Sequence, residues 1–158
     1  MDSLIELQSV TVHSQEHISL DEVNVAFPAN RNTVVMGPSG SGKSMLLKVA
    51  ATIIPPDSGR VLLNGRNLLR LSQKDLMLFR RTSGFMFQDA ALWENKTIFE
   101  NLALPIQLHF PTRSSSEIEK RIRELLSSMN LLDSLDLRPA ALSEGERKIV
   151  SFLRATIL

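Results

Sequence analysis

Alternating apolar and polar residues in the first half of the chain indicate β-strands. The alternation runs over residues 4–12 and 18–27, where it is typical of strands that bury one face. Short apolar runs bounded by turn residues are typical of strands buried inside a sheet. From these two patterns, strands are predicted at 4–12, 18–27, 33–36, 61–63 and 83–87.

Other segments place their apolar residues at helical spacing. Helices are predicted from Lys43 to about Ile53, from Gln73 to Arg80, over 97–109, from near Ser116 through Met129, and from about Ser143 to the end. Pro55 and Pro56 must end the first helix, because proline disfavours a helical conformation in the residue before it. Pro105 lies inside the third helix, where a break or a bend is expected.

Serine residues mark the expected starts of three helices. Ser72 is a predicted cap, and the pairs Ser116 with Glu119 and Ser143 with Glu146 have capping-box spacing. The predicted apolar face of the fourth helix comprises Ile118, Ile122, Leu125, Leu126 and Met129. That of the last helix comprises Ile149, Val150, Phe152, Leu153 and Ile157. Strands and helices mix in the α/β manner, with a mainly helical insert from roughly 90 to 140.

Composition narrows the class of protein without supplying a function. The 158 residues are 43% hydrophobic and 22% charged, which fits one globular domain and disfavours disordered or collagen-like chains. A net charge of +1 offers no basic field, so no nucleic-acid partner is expected. The absence of cysteine excludes disulfides and cysteine zinc sites. Because neither a signal peptide nor an apolar span is recognisable, we expect a soluble chain that contacts a membrane only through partners.

Residues 37–44 carry the clearest chemical motif. They read Gly37-Pro38-Ser39-Gly40-Ser41-Gly42-Lys43-Ser44. This run fits the phosphate-binding pattern G-x-x-x-x-G-K-[ST] at every fixed position. Glycines let the backbone aim several N–H groups at phosphate oxygens, and the following helix presents its positive end to the same anion. Lys43 adds a charge for the β- and γ-phosphates, and Ser44 adds a hydroxyl for Mg²⁺. The alternative is a chance match in a surface loop, but the flanking strand and helix favour nucleotide binding.

Two later segments, taken together with this loop, resemble the ATPase domains of ABC transporters. Phe85–Asp89 resembles the Q-loop, in which a glutamine, here Gln88, closes an apolar strand. Leu142–Glu146 and the helix after it resemble the signature motif. Each segment alone has a plainer explanation, because Gln88 fits an ordinary polar strand end and Ser143 with Glu146 fits a capping box. Only the combination, in the order and separation of that family, is specific.

The resemblance implies an α/β fold of the P-loop NTPase, ABC-ATPase type. Such a domain has a β-rich N-terminal part, a mainly parallel core sheet and an α-helical insert. The implied divisions are an ATP-binding core portion at 1–89, a helical subdomain at about 90–140, and the signature motif with its helix at 141–158. We therefore expect a single incomplete ABC ATPase domain that lacks the last core strands.

The resemblance also implies ATP and Mg²⁺ as cofactors. Lys43 and the loop backbone would hold the phosphates, while Ser44 and Gln88 would serve Mg²⁺ and the attacking water. Ser143 and Gly145 would close over the γ-phosphate of ATP bound to a second ABC ATPase domain. The other implied partners are transmembrane permease subunits, which would hold the chain at the cytoplasmic face of the cell membrane.

The sequence departs from the family pattern in three ways. Glu144 and Glu146 replace a glycine and the glutamine of the usual signature, and carboxylates there would repel a partner's γ-phosphate. His13 lies about where an aromatic residue usually stacks on adenine, and both adenine stacking and a solvated loop histidine stay open for it. The chain stops before the Walker B aspartate, the catalytic glutamate and the switch histidine. We therefore expect a fragment that is inactive alone.

The transported cargo has a weaker signal. Residues 87–105 look most like the ATPases of phospholipid-trafficking systems of the outer-membrane lipid-asymmetry type, so lipid is the predicted cargo. Trp93 and Phe99 either form a groove for a permease helix or pack inside the helical insert. Two other functions stay open: a soluble ABC protein of repair or translation, and a nucleotide-binding module without catalysis.

Overall fold

A computed structural model describes residues 3–14 and 17–158, and the chain divides into two compact units, Met1–Met77 and Leu78–Leu158. The first unit contains strands β1 (Ser3–Ser14), β2 (His17–Pro28), β3 (Ser58–Leu63) and β4 (Arg66–Asn67) and helix α1 (Lys43–Ala50). Helix α2 (Gln73–Arg81) crosses the boundary. The second unit contains helices α3 (Ile98–His109), α4 (Ser115–Ser128) and α5 (Glu144–Thr156). Each unit is described by itself below.

The strands of the first unit form one antiparallel sheet in the order β2-β1-β3-β4. Leu7 on the inner strand β1 pairs with Val25 of β2 and with Val61 of β3. The buried apolar residues of the sheet and α1 are Leu7, Val10, Val12, Leu20, Leu46, Val49, Ala50, Val61 and Leu63. The predicted strands at 4–12, 18–27 and 61–63 are therefore confirmed. The helix predicted from Lys43 is also confirmed, although it ends at Ala50.

Three helices build the core of the second unit. Its buried residues include Ile98, Leu102 and Ile106 from α3, Ile118, Ile122 and Leu126 from α4, and Val150 and Leu153 from α5. The predicted apolar faces are correct except at Met129 and Phe152, which are 39% and 49% exposed. Phe152 lies two residues after Val150, so the helical period turns it away from the core. Helix α3 continues through Pro105, so the chain does not break there, and the alternative of a bend stays a prediction.

Serine residues cap the three helices for which a serine cap is predicted, α2, α4 and α5, but the cap of α4 lies two positions earlier than predicted. Ser72 accepts a hydrogen bond from the N–H of the third residue of α2 at 3.1 Å, which confirms that cap. Helix α4 begins with a capping box between Ser114 and Glu117, not between Ser116 and Glu119. Both pairs have the same spacing within a run of serines, so the sequence pattern cannot distinguish them.

Two predicted strands are absent from the part of the chain that the structure describes. Residues 33–36 and 83–87 have no regular secondary structure. Val34 and Met36 are 79% and 86% exposed, which is opposite to the burial that the apolar run predicts. A strand needs a hydrogen-bonded neighbour, and neither run pairs with another strand within the described residues.

Every strand pair among residues 3–14 and 17–158 is antiparallel. The mainly parallel core sheet implied by the resemblance is therefore not formed by these residues, and it stays a prediction. The division into 1–89, 90–140 and 141–158 also stays a prediction, because the observed boundary of the compact units lies after Met77. None of the helices in the described ranges is long and apolar enough to cross a bilayer.

Candidate functional site

The loop at residues 37–42 is shaped by glycine conformation and by contact with a strand. Gly40 and Gly42 have positive φ angles of 78° and 83°, which a residue with a Cβ rarely adopts. A Cβ added to Gly42 would overlap the carbonyl oxygen of Ser19 and lie 3.1 Å from Cδ2 of Leu20, both on β2. The fixed glycine before Lys43 is therefore required for the loop to lie against the sheet.

Helix α1 begins directly after this loop with its first turn open. Gly42 is the N-cap and offers no side-chain cap, and the first turn contains no acidic residue. The first amides of a helix have no intrahelical partners, and the helix dipole places partial positive charge at the same end. An anion is the natural partner for such an end.

Lys43 and Ser44 complete the loop. The Lys43 ammonium bends back over the loop, donating to the Pro38 carbonyl oxygen at 2.6 Å and lying 3.4 Å from Ser41 Oγ. This position brings a positive charge next to the backbone of a loop whose amides are also electropositive. Ser44 is exposed. Backbone amides, a helix end and an ammonium thus converge on one small region, which suits a polyphosphate.

His13 lies at the end of β1 and is held by a carboxylate distant in sequence. Its backbone N–H donates to Asp57 Oδ2 at 2.6 Å, and its Nδ1 lies 3.1 Å from the same oxygen. Both contacts lower the pKa of Asp57 from its ordinary value, and the hydrogen bond from the His13 backbone has the larger effect. The imidazole remains 62% exposed, so its face is accessible. Adenine stacking by His13 stays a prediction.

Gln88 belongs to the second unit and lies in a turn instead of at a strand end. The N–H of Ala90 donates to the carbonyl of Phe87 at 3.1 Å, which closes a turn around Gln88 and Asp89. The Gln88 side chain is exposed. It is therefore available to a ligand, although its role as a metal ligand stays a prediction.

Ser143 caps helix α5 through the predicted capping box. The Ser143 N–H and hydroxyl both donate to Glu146 Oε2, at 2.8 Å and 2.7 Å. The Glu146 N–H in turn donates to Ser143 Oγ at 3.3 Å. The hydrogen bond from the Ser143 hydroxyl has the largest effect in lowering the pKa of Glu146, and the bond from the Ser143 N–H lowers it further. The Glu146 carboxylate thus occupies the donors that Ser143 would offer to another anion.

The other two positions of this motif face solvent. Glu144 pairs with Lys148 at 2.6 Å, its side chain is 75% exposed, and that hydrogen bond lowers its pKa. A Cβ added to Gly145 would meet no atom within 4 Å, so the helix start is open on that side. Both signature carboxylates are therefore engaged by side chains of their own helix or its cap.

The structure groups the site residues predicted from sequence into two sets. His13 and residues 37–44 lie in the first unit, whereas Gln88, Ser143 and Gly145 lie in the second. Sequence reasoning missed Asp57, because nothing in the spacing predicts its contact with His13. It also missed Ser151, a buried polar residue in α5. A serine inside an otherwise apolar helical face was the available signal, since such a hydroxyl needs a partner.

Comparison with known sequences agrees with the resemblance to ABC transporter ATPases. A family model described as "ABC transporter" matches residues 20–158. The methionine import ATP-binding protein MetN 1 of Rhodopseudomonas palustris is 38% identical over 142 residues, covering 90% of this chain and 38% of that protein. The methionine import ATP-binding protein MetN of Legionella pneumophila is 36% identical, covering 96% of this chain and 44% of that protein. The chain thus spans less than half the length of these relatives.

Solved structures agree on the fold. The ATP-binding cassette MJ0796, in a dimeric post-hydrolysis state bound to ADP and Pi, superposes with a TM-score of 0.85 at 30% identity. That alignment covers 97% of this chain and 69% of MJ0796. The fold of cbiO1 from Clostridium perfringens, part of the ABC transporter complex cbiONQ, is also similar, with a TM-score of 0.73 at 23% identity over 99% of this chain and 62% of cbiO1.

Proposed function

The chain belongs to the ABC transporter family, and on this premise we propose that it binds ATP at Gly37–Ser44 as the ATP-binding subunit of a membrane transporter. The observation that carries the proposal is the loop itself, where open amides of α1 and the Lys43 ammonium face one region. The similarity to a cassette bound to ADP and Pi supports a nucleotide as the ligand.

Further roles within this proposal belong to single residues. Mg²⁺, which prefers hard oxygen ligands, would be held by Ser44 and Gln88 together with the phosphates. Ser143 and Gly145 would face the γ-phosphate of ATP bound to a second ATPase domain, and the dimeric state of MJ0796 supports such a pairing. Because Glu146 already occupies the Ser143 donors, that contact requires the Glu146 side chain to move.

The membrane partner would dock on the surface around Trp93. Trp93 is 52% exposed at the edge of a cavity of about 140 Å³ that Leu104 and the Lys96–Glu100 ion pair also line. Phe99 is partly buried and packs against the helical core, so it supports this surface from beneath. An exposed aromatic ring beside a pocket that offers both apolar and charged groups is a common anchor point for a partner helix.

Import of an amino acid is the proposed transport reaction. The relatives reported above carry the name of methionine import proteins, and methionine is accordingly the candidate cargo. The lipid cargo predicted from residues 87–105 has no support among them. A purified transporter complex tests this point, because uptake of labelled methionine into proteoliposomes is expected, and uptake of lipid alone would contradict it.

Nucleotide binding is tested directly on the full chain. A fluorescent ATP analogue is titrated against the wild type, against Lys43→Ala, and against Lys48→Ala as the matched control in the last turn of α1. We expect Lys43→Ala to weaken binding at least about tenfold, since a charge-assisted hydrogen bond contributes roughly 1.5–3 kcal/mol. Lys48→Ala should bind like the wild type. Equal affinity of the Lys43→Ala variant would contradict the proposal.

A further inference from the structure

The backbone beside Gln88 has an unusual conformation. Ala90 and Ala91 follow one another with positive φ angles of 64° and 46°. Residues with a Cβ adopt this region rarely, and two in succession persist only where surrounding contacts hold them. Ala90 is only 3% exposed, so the turn that presents Gln88 continues directly into a buried, constrained residue.

Helix α5 supplies the contacts that hold Ala90. The carbonyl oxygen of Ala90 accepts two hydrogen bonds, from Ser151 Oγ at 2.8 Å and from Arg154 Nη2 at 3.1 Å. Ser151 is 1% exposed, so its hydroxyl has no bulk water available as a substitute. Both donors are directed at one carbonyl two residues after Gln88.

The Arg154 side chain carries a positive charge at a partly buried position. This partial burial of the guanidinium lowers its pKa, because desolvation disfavours the charged form. No carboxylate pairs with it within residues 3–14 and 17–158. A partly buried charge without a counterion costs stability, so its contact with the Ala90 carbonyl is its main compensation in the described structure.

A second contact fixes the segment on the other side of Gln88. A Cβ added to Gly84 would overlap the carbonyl oxygen of Ala155, so the backbone at Gly84 lies directly against the end of α5. The segment therefore contacts α5 at Gly84 and again at Ala90, and Gln88 lies on the exposed arch between these two points.

The same helix begins directly after its N-cap residue, Ser143. Ser151 follows Ser143 by about two helical turns, within the uninterrupted helix α5. One helix therefore carries the Ser143 cap at its start and holds the Gln88 turn near its end.

We propose that Ser151 and Arg154 are positioning residues that hold the turn of Gln88 through the carbonyl of Ala90. The inference rests on the proposed function, because it concerns the metal-linked role given there to Gln88. It assigns a functional reason to a buried serine and to an arginine without a carboxylate partner among the described residues, neither of which belongs to the sequence motifs.

The test compares nucleotide affinity with and without Mg²⁺ in the full chain. The quantity measured is the ratio of the two dissociation constants for the fluorescent ATP analogue, which reports the benefit that Mg²⁺ brings. Ser151→Ala should reduce this benefit about three- to tenfold, the effect of losing about one hydrogen bond. It should leave the affinity without Mg²⁺ unchanged. Arg154→Lys, which keeps a donor and the charge, should retain more of the benefit than Arg154→Met.

A double variant separates positioning from simple destabilisation. If Ser151 acts through Gln88, adding Ser151→Ala to Gln88→Ala should cause no further loss of the Mg²⁺ benefit. The matched control is Thr156→Val on the same helix, because within the described residues the Thr156 hydroxyl bonds only to carbonyls of α5. That variant should behave like the wild type. Hydrogen exchange of the amides at 88–92 should accelerate in Ser151→Ala and not in the control.

Each outcome decides one point. If the wild type binds the analogue but Ser151→Ala changes the affinity equally with and without Mg²⁺, or if the two substitutions add, the positioning role is refuted. Unchanged exchange at 88–92 in Ser151→Ala would also overturn it. If the wild type does not bind the analogue at all, the proposed function fails, and this inference fails with it.

Discussion

Replacing Gly42 by alanine tests whether the phosphate loop depends on its contact with the sheet. Two penalties are expected. The positive φ of 83° should cost about 1–2 kcal/mol once a Cβ is present. The new methyl group also overlaps the Ser19 carbonyl and meets Leu20 Cδ2 at 3.1 Å, and overpacking of this kind costs roughly 1–3 kcal/mol. Because the Ser19 carbonyl belongs to a strand, it cannot move aside freely. The expected loss is therefore about 2–5 kcal/mol.

Two other glycines provide the matched controls. Gly40 in the same loop and Gly65 in the turn between β3 and β4 have positive φ angles of 78° and 73°, yet an added Cβ meets no atom within 4 Å at either position. Their alanine variants should lose only the conformational part, about 1–2 kcal/mol. Urea unfolding of the full chain followed by circular dichroism measures all three free energies of unfolding. Equal losses for Gly42→Ala and Gly40→Ala would refute the argument from close approach.

Three further substitutions test other parts of the structure. Thr52→Gly should raise the free energy of unfolding by about 1–2 kcal/mol. The reason is that Thr52 has a φ of 60° and a buried hydroxyl without a hydrogen-bond partner among the described residues. A urea midpoint lower than that of the wild type would contradict this prediction. Asn101→Leu should lower the free energy of unfolding by about 2–4 kcal/mol, because the buried amide bonds both the N–H and the carbonyl of Trp93. The fluorescence of Trp93 reports the unfolding. A decrease below about 1 kcal/mol would show that those bonds are dispensable. Glu146→Gln should flatten the pH dependence of the free energy of unfolding in acid. The pKa of Glu146 is lowered in the folded state, so the carboxylate stabilises the fold above the ordinary value of 4.5. This stabilisation is lost as the pH falls through the lower pKa of the folded state. Parallel stability curves for Glu146→Gln and the wild type would show that the bond to Ser143 contributes nothing.

Much of the local structure followed from short-range sequence signals. The phosphate loop, the long strands at 4–12 and 18–27 and the capping box at Ser143 depend on residues within a few positions of each other. The chemistry of such elements is set by backbone conformation and by side chains of the same segment, so a single sequence contains the necessary information. The helical faces were predictable for the same reason, with errors at Phe152, which the helix turns outward, and at Met129, which follows the last residue of α4.

Contacts between distant segments were decided by the tertiary structure alone. The predicted strands at 33–36 and 83–87 fail because a strand exists only with a paired neighbour, and an apolar run does not specify one. The bond from Asp57 to His13 and the bonds from α5 to Ala90 join residues that no local pattern connects. Sequence by itself therefore determined which groups could bind a polyphosphate. The tertiary structure determined which backbone segments hold two of the other predicted site residues, His13 and Gln88, because those interactions form only when the chain has folded.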